Sequence, residues 1–145
     1  MARATVVIDT REQLPYAFDP DRVEAVRRAL PAGDYSLEGH ETEVAVERKS
    51  LDDFVSSVIR GRRRFFRELR ALAGYDTACV VVEAGLRDVL EGGYRSDVHP
   101  HAVFGAAVSI VVDLGVPVFF CSDRQVACKF VEELLLRFHR KVADP

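Results

Sequence analysis

Short apolar runs alternate with helical patterns along this chain, and this alternation restricts its architecture more than any other feature. Residues 5–8, 78–82 and 116–121 are continuous runs of β-branched and other apolar side chains. Runs of that length and composition are typical of buried strands. Because helical patterns lie between the runs, we expect the strands to form a sheet that is covered by helices.

An antiparallel hairpin precedes most of these elements. Residues 35–37 and 43–49 are predicted strands with Gly39 and His40 at the turn between them, and the second strand alternates apolar with polar side chains. A hairpin followed by alternating helices and strands predicts an α/β fold with a mixed central sheet flanked by helices on both faces. The length suits one domain of this kind, residues 1–145.

Capping residues and prolines predict where the helices begin and end. Asp19 followed by proline predicts a helix over residues 20–30. Ser50, with Asp53 three positions later, has the capping-box pattern and predicts a helix over residues 51–59. The other helices are expected at residues 62–74, 86–90, 100–114 and 125–141, with Gly115 after the third of these and Ser122 capping the last.

The charge distribution contains one basic segment. The chain carries a net charge of −3, which argues against nucleic acid as a partner, but residues 60–70 hold six arginines and one glutamate. As a helix, this segment places an apolar stripe that includes Phe65 and Leu69 opposite most of the arginines. The candidate DNA-binding residues of the basic face are Arg60, Arg63, Arg64 and Arg67. A solvated helix surface is the alternative interpretation.

Membrane insertion and secretion are not expected. The uncharged runs fall well short of the roughly eighteen apolar residues that a membrane-spanning helix needs, and the N-terminus has no signal-peptide core. Cys79, Cys121 and Cys128 are odd in number and lie in apolar stretches, which favours reduced core thiols over disulfides. We therefore expect a cytoplasmic protein, associated with the nucleoid in a prokaryote.

Two acids and one lysine are expected at the same end of the predicted sheet. Glu47 and Lys49 lie two residues apart on one strand, so their side chains leave the same face. Asp34 begins the neighbouring strand of the hairpin. Paired carboxylates suit Mg²⁺ or Mn²⁺, and a lysine beside the ion can orient water or offset developing charge. This arrangement predicts metal-assisted phosphodiester hydrolysis, although an acid two residues before a lysine also occurs on ordinary exposed strands.

Five sequence blocks, in order, resemble the XPF family of structure-specific endonucleases, a branch of the PD-(D/E)XK nuclease superfamily. The blocks are Ile8-Asp9-Thr10-Arg11-Glu12, Gly33-Asp34, Glu47-Arg48-Lys49 with Asp53, residues 57–62 and residues 82–85. The resemblance continues through the helix from Pro100 and the elements after it, so it covers nearly the whole chain. It implies a restriction-endonuclease-like fold and a divalent-metal-dependent endonuclease that cuts DNA at branched, flap or fork junctions.

The resemblance also implies roles for individual residues. Asp9, Asp34 and Glu47 would hold the metal, Mg²⁺ or Mn²⁺, and Lys49 would act beside it as a catalytic residue. Further catalytic residues would be Arg11 and Arg48, and the supporting residues would be Glu12, Asp53 and Arg62. These residues together form the predicted active site.

Several of these positions also have structural interpretations. Asp53 suits a helix cap, Arg48 a surface arginine and Glu12 a solvated acid. Glu83, at the end of a predicted strand, either reaches the site or forms a structural salt bridge. One position departs from the family pattern, because Phe66 stands where family members usually carry a glutamine.

Apolar surface and the family resemblance both predict a homodimer. The expected helix over residues 100–114 is apolar nearly all round, so it needs cover on both sides. XPF-type domains pair through their C-terminal helices, which implies a two-fold homodimer here. Relatives usually append tandem helix-hairpin-helix motifs that grip DNA, and this sequence shows none. We therefore expect either a low DNA affinity or an affinity that other surfaces or another chain supply.

Two other functions remain as alternatives. One is a non-catalytic DNA-binding scaffold subunit of a nuclease complex, but such a partner would lack several of the four residues Asp9, Asp34, Glu47 and Lys49, which are all present. The other is an isolated nuclease module of a defence or mobile-element system. The sequence favours the catalytic interpretation.

Overall fold

Six strands form one mixed sheet in the computed structural model, which describes residues 3–144. Met1 and Ala2, which belong to the N-terminus considered for a targeting signal, lie outside the described residues. The strands are β1 (Ala4–Ile8), β2 (Val23–Arg27), β3 (Tyr35–Leu37), β4 (Val44–Lys49), β5 (Thr77–Val82) and β6 (Val118–Phe120). Their order is β2-β1-β3-β4-β5-β6, and β3 runs antiparallel to both of its neighbours while the other pairs are parallel.

Helices cover both faces of this sheet, as the sequence predicts. They are α1 (Leu51–Ile59), α2 (Arg62–Leu72), α3 (Leu86–Leu90), α4 (Pro100–Ser109) and α5 (Arg124–Ala143), and α4 continues into a π-helical segment, Ile110–Leu114. Side chains of α1 to α4 pack in one core on one face, and α5 packs in a second core on the other. None of the helices within residues 3–144 is both long and apolar enough to cross a membrane.

The helix expected over residues 20–30 is wrong, because this segment contains strand β2. The backbone carbonyl of Asp19 accepts from the N–H groups of Arg22 and Val23, which makes one turn, and the chain then pairs in parallel with β1. An edge strand has one neighbour and needs little apolar surface, and only the first residue of β2 is fully buried. Pairing with β1 therefore overrides a local pattern that imitates a helix.

The C-terminal strand and its following cap also differ from expectation. The strand predicted over residues 116–121 is shorter and lies at the sheet edge, where Phe119 is 38% exposed. Asp123 rather than Ser122 caps α5, because its carboxylate accepts from the N–H of Val126 at 2.8 Å. Ser122 instead takes a left-handed conformation with φ +66° at the turn before the helix.

The half-buried alternation expected for residues 43–49 is wrong, because Val44, Ala45 and Val46 of this central strand are all buried, in cores on both faces of the sheet. Other local predictions are confirmed. The Ser50 hydroxyl accepts from the N–H of Asp53 at 3.2 Å and caps α1. The apolar side of the arginine-rich helix α2 is buried, and Gly115 ends the fourth helix with φ +70°. All three cysteines are free thiols, with Cys79 and Cys121 buried. The hairpin of β3 and β4 therefore packs with α1 and α2 at one end of the sheet.

Candidate active site

A cavity of about 430 Å³ lies between α2 and the hairpin of β3 and β4. Acidic and cationic side chains share its wall. The acids are Asp9, Asp34, Glu47 and Glu68, and the cations are Arg11, Lys49 and Arg67. The cavity thus brings together the predicted metal-binding acids, the predicted lysine and two arginines.

Gly33 allows β3 to start close against β4. It has φ +77°, and a Cβ there would lie 3.0 Å from the Ala45 Cβ and 3.2 Å from the Val46 carbonyl oxygen. Only glycine fits this conformation and this close approach without strain. The next residue, Asp34, donates its N–H to Val46 at 2.8 Å, so the Gly-Asp pair delivers a carboxylate beside β4.

Asp34 and Glu47 are two enclosed carboxylates with few positive partners. One Asp34 oxygen accepts from the backbone N–H of Arg48 at 2.8 Å, and Glu47 Oε2 lies 3.5 Å from Lys49 Nζ. Burial raises the pKa of Asp34, and the negative charge of Glu12 raises it further. Burial and then the Asp34 charge raise the pKa of Glu47. The two acids repel each other, and a bound cation would relieve that repulsion.

Asp9 has hydrogen-bond partners on both of its oxygens. One oxygen accepts from the N–H of Leu30 at 2.8 Å and the other from Arg11 Nε at 2.8 Å. Burial alone would raise the pKa of Asp9, but these hydrogen bonds lower it below its ordinary value. Asp9 therefore holds Arg11 and the backbone at Leu30, and its metal-ligand role stays a prediction.

Lys49 connects the main cavity to a second one. Its ammonium lies 4.9 Å from the centre of the Phe65 ring, which fixes the side chain against α2. The second cavity, about 320 Å³, shares Lys49 and Glu68 with the first and adds Ser56, Ser57 and Arg64. A groove therefore continues from the carboxylates past Lys49 to hydroxyl groups and an arginine, the groups that commonly bind phosphate.

Arg48 and Glu12 do not line the cavity, and the Arg48 guanidinium is directed away from it, so the predicted catalytic role of Arg48 and supporting role of Glu12 stay predictions. Successive residues of a strand face opposite sides, and the Arg48 guanidinium lies on the face opposite Glu47. It donates to Glu83 through Nε and Nη2, at 2.8 and 2.9 Å, and its Nη1 lies 3.4 Å from Glu12. The part of Arg48 that contacts the site is its backbone N–H. The salt-bridge interpretation of Glu83 is confirmed.

Asp53 and Arg62 also lie outside the cavity. Asp53 is exposed on α1 and contributes to a separate cleft, and Arg62 stacks on Phe66 with its guanidinium carbon 4.3 Å from the ring centre. Phe66 is a core residue, so the departure from the family pattern replaces a polar side chain by packing. Among the four basic-face candidates, Arg67 lines the main cavity, Arg64 the second, Arg60 the separate cleft, and Arg63 is exposed on α2.

Sequence reasoning missed Glu68, Tyr16 and Arg124. Glu68 entered it only as the single negative charge of the basic segment, although it follows Arg64 by four residues, the spacing of a helix pair. Tyr16 and Arg124 both contact Glu83, and they come from a loop and from α5 with no local signal to join them. These contacts depend on the tertiary fold.

The donor set fits a hard divalent cation that keeps other ligands. Within residues 3–144, no three His, Cys, Asp or Glu side chains are grouped closely enough to hold a metal ion by themselves. Mg²⁺ does not need such a cage, because it binds one or two carboxylates together with water and substrate phosphate oxygens. Asp34 and Glu47 supply such a pair of carboxylates.

A family model for the ERCC4 domain matches residues 8–134. The chain belongs to the ERCC4 domain family. This ERCC4 domain is 30% identical over 120 residues to "Putative ATP-dependent RNA helicase MJ1505" of Methanocaldococcus jannaschii, covering 83% of the chain and 14% of that protein. It is 26% identical over 137 residues to the 3′-flap repair endonuclease Xpf of Saccharolobus solfataricus, covering 92% of the chain and 55% of that protein.

Two solved structures of XPF from Aeropyrum pernix resemble the ERCC4 domain. One has a TM-score of 0.71 at 25% identity and covers 97% of this chain and 67% of its own. The other, a complex with DNA, has a TM-score of 0.72 at 27% identity and covers 96% and 66%. The predicted XPF-type nuclease domain and its α/β fold are confirmed.

Proposed function

We propose that this ERCC4 domain is a divalent-metal-dependent endonuclease that hydrolyses DNA at branched, flap or fork junctions. The observation that carries the proposal is the pair of enclosed carboxylates, Asp34 and Glu47, beside Lys49 in a cavity rimmed by arginines. Two enclosed acids without compensating charge cost folding free energy, and such groups are common at functional sites. Metal-assisted phosphodiester hydrolysis is a function that would use them.

Each charged side chain of the cavity has its own proposed role in the reaction. Asp34 and Glu47 would hold Mg²⁺ or Mn²⁺, which when bound polarises a phosphodiester and lowers the pKa of water. Lys49 is placed to hold a phosphate oxygen or the attacking water and to offset negative charge in the transition state. Arg11 and Arg67 border the same cavity and would fix the DNA backbone beside the reacting group.

The DNA substrate is supported by the relatives and by the groove. The Saccharolobus solfataricus relative is named a 3′-flap repair endonuclease, and one Aeropyrum pernix structure is a complex with DNA. In this chain the groove leads from the carboxylates to Ser56, Ser57 and Arg64, which suits a strand whose phosphates follow one another past Lys49. Such an enzyme would act in the cytoplasm, on the nucleoid in a prokaryote.

The direct test is cleavage of labelled flaps, forks, bubbles and plain duplex with Mg²⁺, Mn²⁺ or chelator. We expect metal-dependent cutting near junctions, lost in Asp34→Asn and in Glu47→Gln but kept in Glu91→Gln, an exposed acid directly after α3 that does not line the cavity. Lys49→Ala should lower kcat more than it raises KM. Metal-independent cutting, or activity retained in both site variants, would contradict the proposed site. DNA binding without cleavage would favour the scaffold alternative.

The basic side of α2 is proposed to hold the DNA backbone. Replacing Arg63, Arg64 and Arg67 together by alanine should weaken binding to all sequences and reduce the salt slope by about 0.9 for each lost duplex phosphate contact. The matched control changes Arg137, Arg140 and Lys141 together to alanine, which removes three exposed positive charges from α5. An unchanged salt slope in the triple variant would show that this face is only solvated.

A homodimer is proposed through α4 and its π-helical extension. Val108, Val111 and Val112 are exposed there, and Val112 is 73% exposed. Contiguous apolar surface of this kind usually marks an interface. Light scattering at micromolar concentration should give twice the 16.2 kDa chain mass, and Val112→Glu should give the monomer. Phe104→Glu should do the same but also disturbs the core, because Phe104 packs against it. A monomeric parent would overturn this part.

A further inference from the structure

Glu83 is the centre of a polar cluster on the face of the sheet opposite the cavity. Its side chain is 8% exposed and lies at the end of β5. Both oxygens accept from the Arg48 guanidinium, and Oε2 also accepts from the Tyr16 hydroxyl at 2.6 Å. Arg124 of α5 lies 3.4 Å from the same oxygen. One carboxylate thus holds three side chains from three parts of the chain.

Two paths connect this cluster to Asp34. The first runs through Arg48, whose side chain is held by Glu83 and whose backbone N–H donates to Asp34 at 2.8 Å. The second runs through Tyr16, whose backbone N–H donates to the hydroxyl of Tyr35 at 2.9 Å and whose ring stacks on that of Tyr35 at 5.1 Å. Tyr35 directly follows Asp34. Both paths therefore end at the residue that we assign to the metal.

Backbone hydrogen bonding adds a third link. The N–H of Glu83 donates to the carbonyl oxygen of Lys49 at 2.9 Å, so Glu83 contacts β4 at two consecutive residues directly after the peptide that contains the Arg48 N–H. Hydrogen bonds joined in one network strengthen one another, so the Glu83 contacts hold Arg48 more firmly than the same contacts made singly. The arrangement holds the Arg48 peptide, and with it Asp34, in a single position.

We propose that Glu83 is a positioning residue of the candidate active site, acting through Arg48 and Tyr16 on the carboxylate of Asp34. A buried ion pair is weak support for stability compared with apolar packing, so stability alone does not explain four hydrogen-bonded contacts on one carboxylate. Partners that orient metal ligands from behind typically change metal affinity or activity by about 10- to 100-fold when removed. The catalytic consequence rests on the proposed nuclease function, whereas the positioning of Asp34 does not.

The test compares Glu83→Gln with Glu132→Gln. Glu132 is an equally buried glutamate on the same face, bonded to Arg22 at 3.0 Å and to the N–H of Asp19 at 2.7 Å, and it has no contact with the Arg48 cluster. Three quantities are measured in each full-length variant: amide exchange of the Arg48 N–H by NMR, Mn²⁺ affinity by calorimetry, and kcat and KM on a flap substrate.

We expect Glu83→Gln to speed Arg48 exchange by at least about tenfold and to weaken Mn²⁺ binding and kcat by about 10- to 100-fold, with KM for DNA unchanged. Glu132→Gln should change none of these beyond its general effect on stability. Tyr16→Phe, which leaves the Arg48–Glu83 pair intact, should give a smaller shift in the same direction and serves if Glu83→Gln does not fold.

Equal changes in the two glutamine variants would overturn the proposal, and so would unchanged exchange, affinity and turnover in Glu83→Gln. If the parent neither cleaves DNA nor binds Mn²⁺, the nuclease function fails instead. The Arg48 exchange rates then still decide whether Glu83 positions the Asp34 peptide, because that measurement needs no metal and no substrate.

Discussion

The two faces of β4 carry charged side chains of similar burial with opposite degrees of pairing. On one face, Glu47 and Lys49 are 13% and 19% exposed, and Glu47 faces a second acid with one lysine nearby. On the other, Arg48 is 15% exposed and has matched acids on three of its nitrogen atoms. Exposure therefore does not distinguish the faces, whereas the supply of partners does.

Three consecutive residues therefore have two different roles: Glu47 and Lys49 face the candidate active site, whereas Arg48 supports the fold on the opposite face. On the Arg48 face, Glu83 pairs both of its oxygens with the guanidinium, and Glu12 pairs one oxygen with it while its other oxygen is buried without a hydrogen-bond partner among residues 3–144. The Glu47 face holds two neighbouring acids without enough cations, so ionising both is unfavourable without metal and a bound divalent ion would favour the ionised pair. Strand alternation allows one short segment to serve both purposes.

Glu47→Gln should give the largest effect and tests the unpaired face. We expect cleavage of a flap substrate to fall by about 1,000-fold, the upper range for losing one electrostatic stabiliser, which corresponds to about 4 kcal/mol. The free energy of unfolding without metal should not fall, because the change removes one of two repelling acids. Initial rates and urea unfolding measure both quantities. A large loss of stability would show that Glu47 is paired after all.

Arg48→Met tests the paired face through stability. It leaves Glu83 and Glu12 enclosed without their main cation, and removing one partner of a buried pair costs about 3 kcal/mol or more. Urea unfolding at neutral pH measures the loss. Arg64→Met is the control, because the Arg64–Glu68 pair is exposed on α2 and its loss should cost under about 0.5 kcal/mol. Equal losses in the two variants would contradict the comparison.

Local patterns were sufficient to predict most of the framework and the functional face of β4. The two-residue period of a strand assigns Glu47 and Lys49 to one side, Gly33 and Asp34 mark the start of the neighbouring strand, and Ser50 marks the helix after it. Each of these signals acts over a few residues. The structure keeps the arrangement that these local signals predict, because β3 and β4 are consecutive in the chain and pair directly.

What could not be predicted depends on contacts between distant segments. Strand β2 has helix-like spacing, and only its pairing with β1 decides its conformation. Alternation does place Arg48 opposite Glu47, but its partner Glu83 lies 35 residues away and Arg124 lies on the last helix. A family motif joins Glu47, Arg48 and Lys49 as one unit, so it hides that the middle residue faces away from the site.

Acid sensitivity of the paired face is the next prediction. Burial alone would raise the pKa of Glu83, but hydrogen bonds from Arg48 and Tyr16 lower it below its ordinary value. The unfolded chain then binds a proton at higher pH than the folded one, so Glu83 stabilises the fold above the ordinary glutamate pKa of about 4.3 and loses this effect as the pH falls through its folded pKa.

Urea unfolding of the parent and of Glu83→Gln between pH 6 and pH 3 measures this contribution. The stability gap between the two proteins should narrow steadily as the pH falls, because the charge that distinguishes them is neutralised. Subtracting one series from the other cancels the titration of acids that are remote from the Glu83 cluster, because both proteins share them. A gap that stays constant over this range would show that the charge of Glu83 does not contribute.

Glu68→Gln should give the smallest effect and sharpens the definition of the unpaired face. Glu68 lines the main cavity and its charge acts on Glu47, but its side chain is 46% exposed and paired with Arg64. A half-exposed charge contributes through solvent, so we expect Mn²⁺ binding to weaken by only about 2- to 5-fold and the effect to shrink as salt is raised. The loss in Glu47→Gln should persist at high salt, because a direct ligand is removed. A salt-independent loss in Glu68→Gln as large as that of Glu47→Gln would make Glu68 a third ligand and extend the unpaired face onto α2.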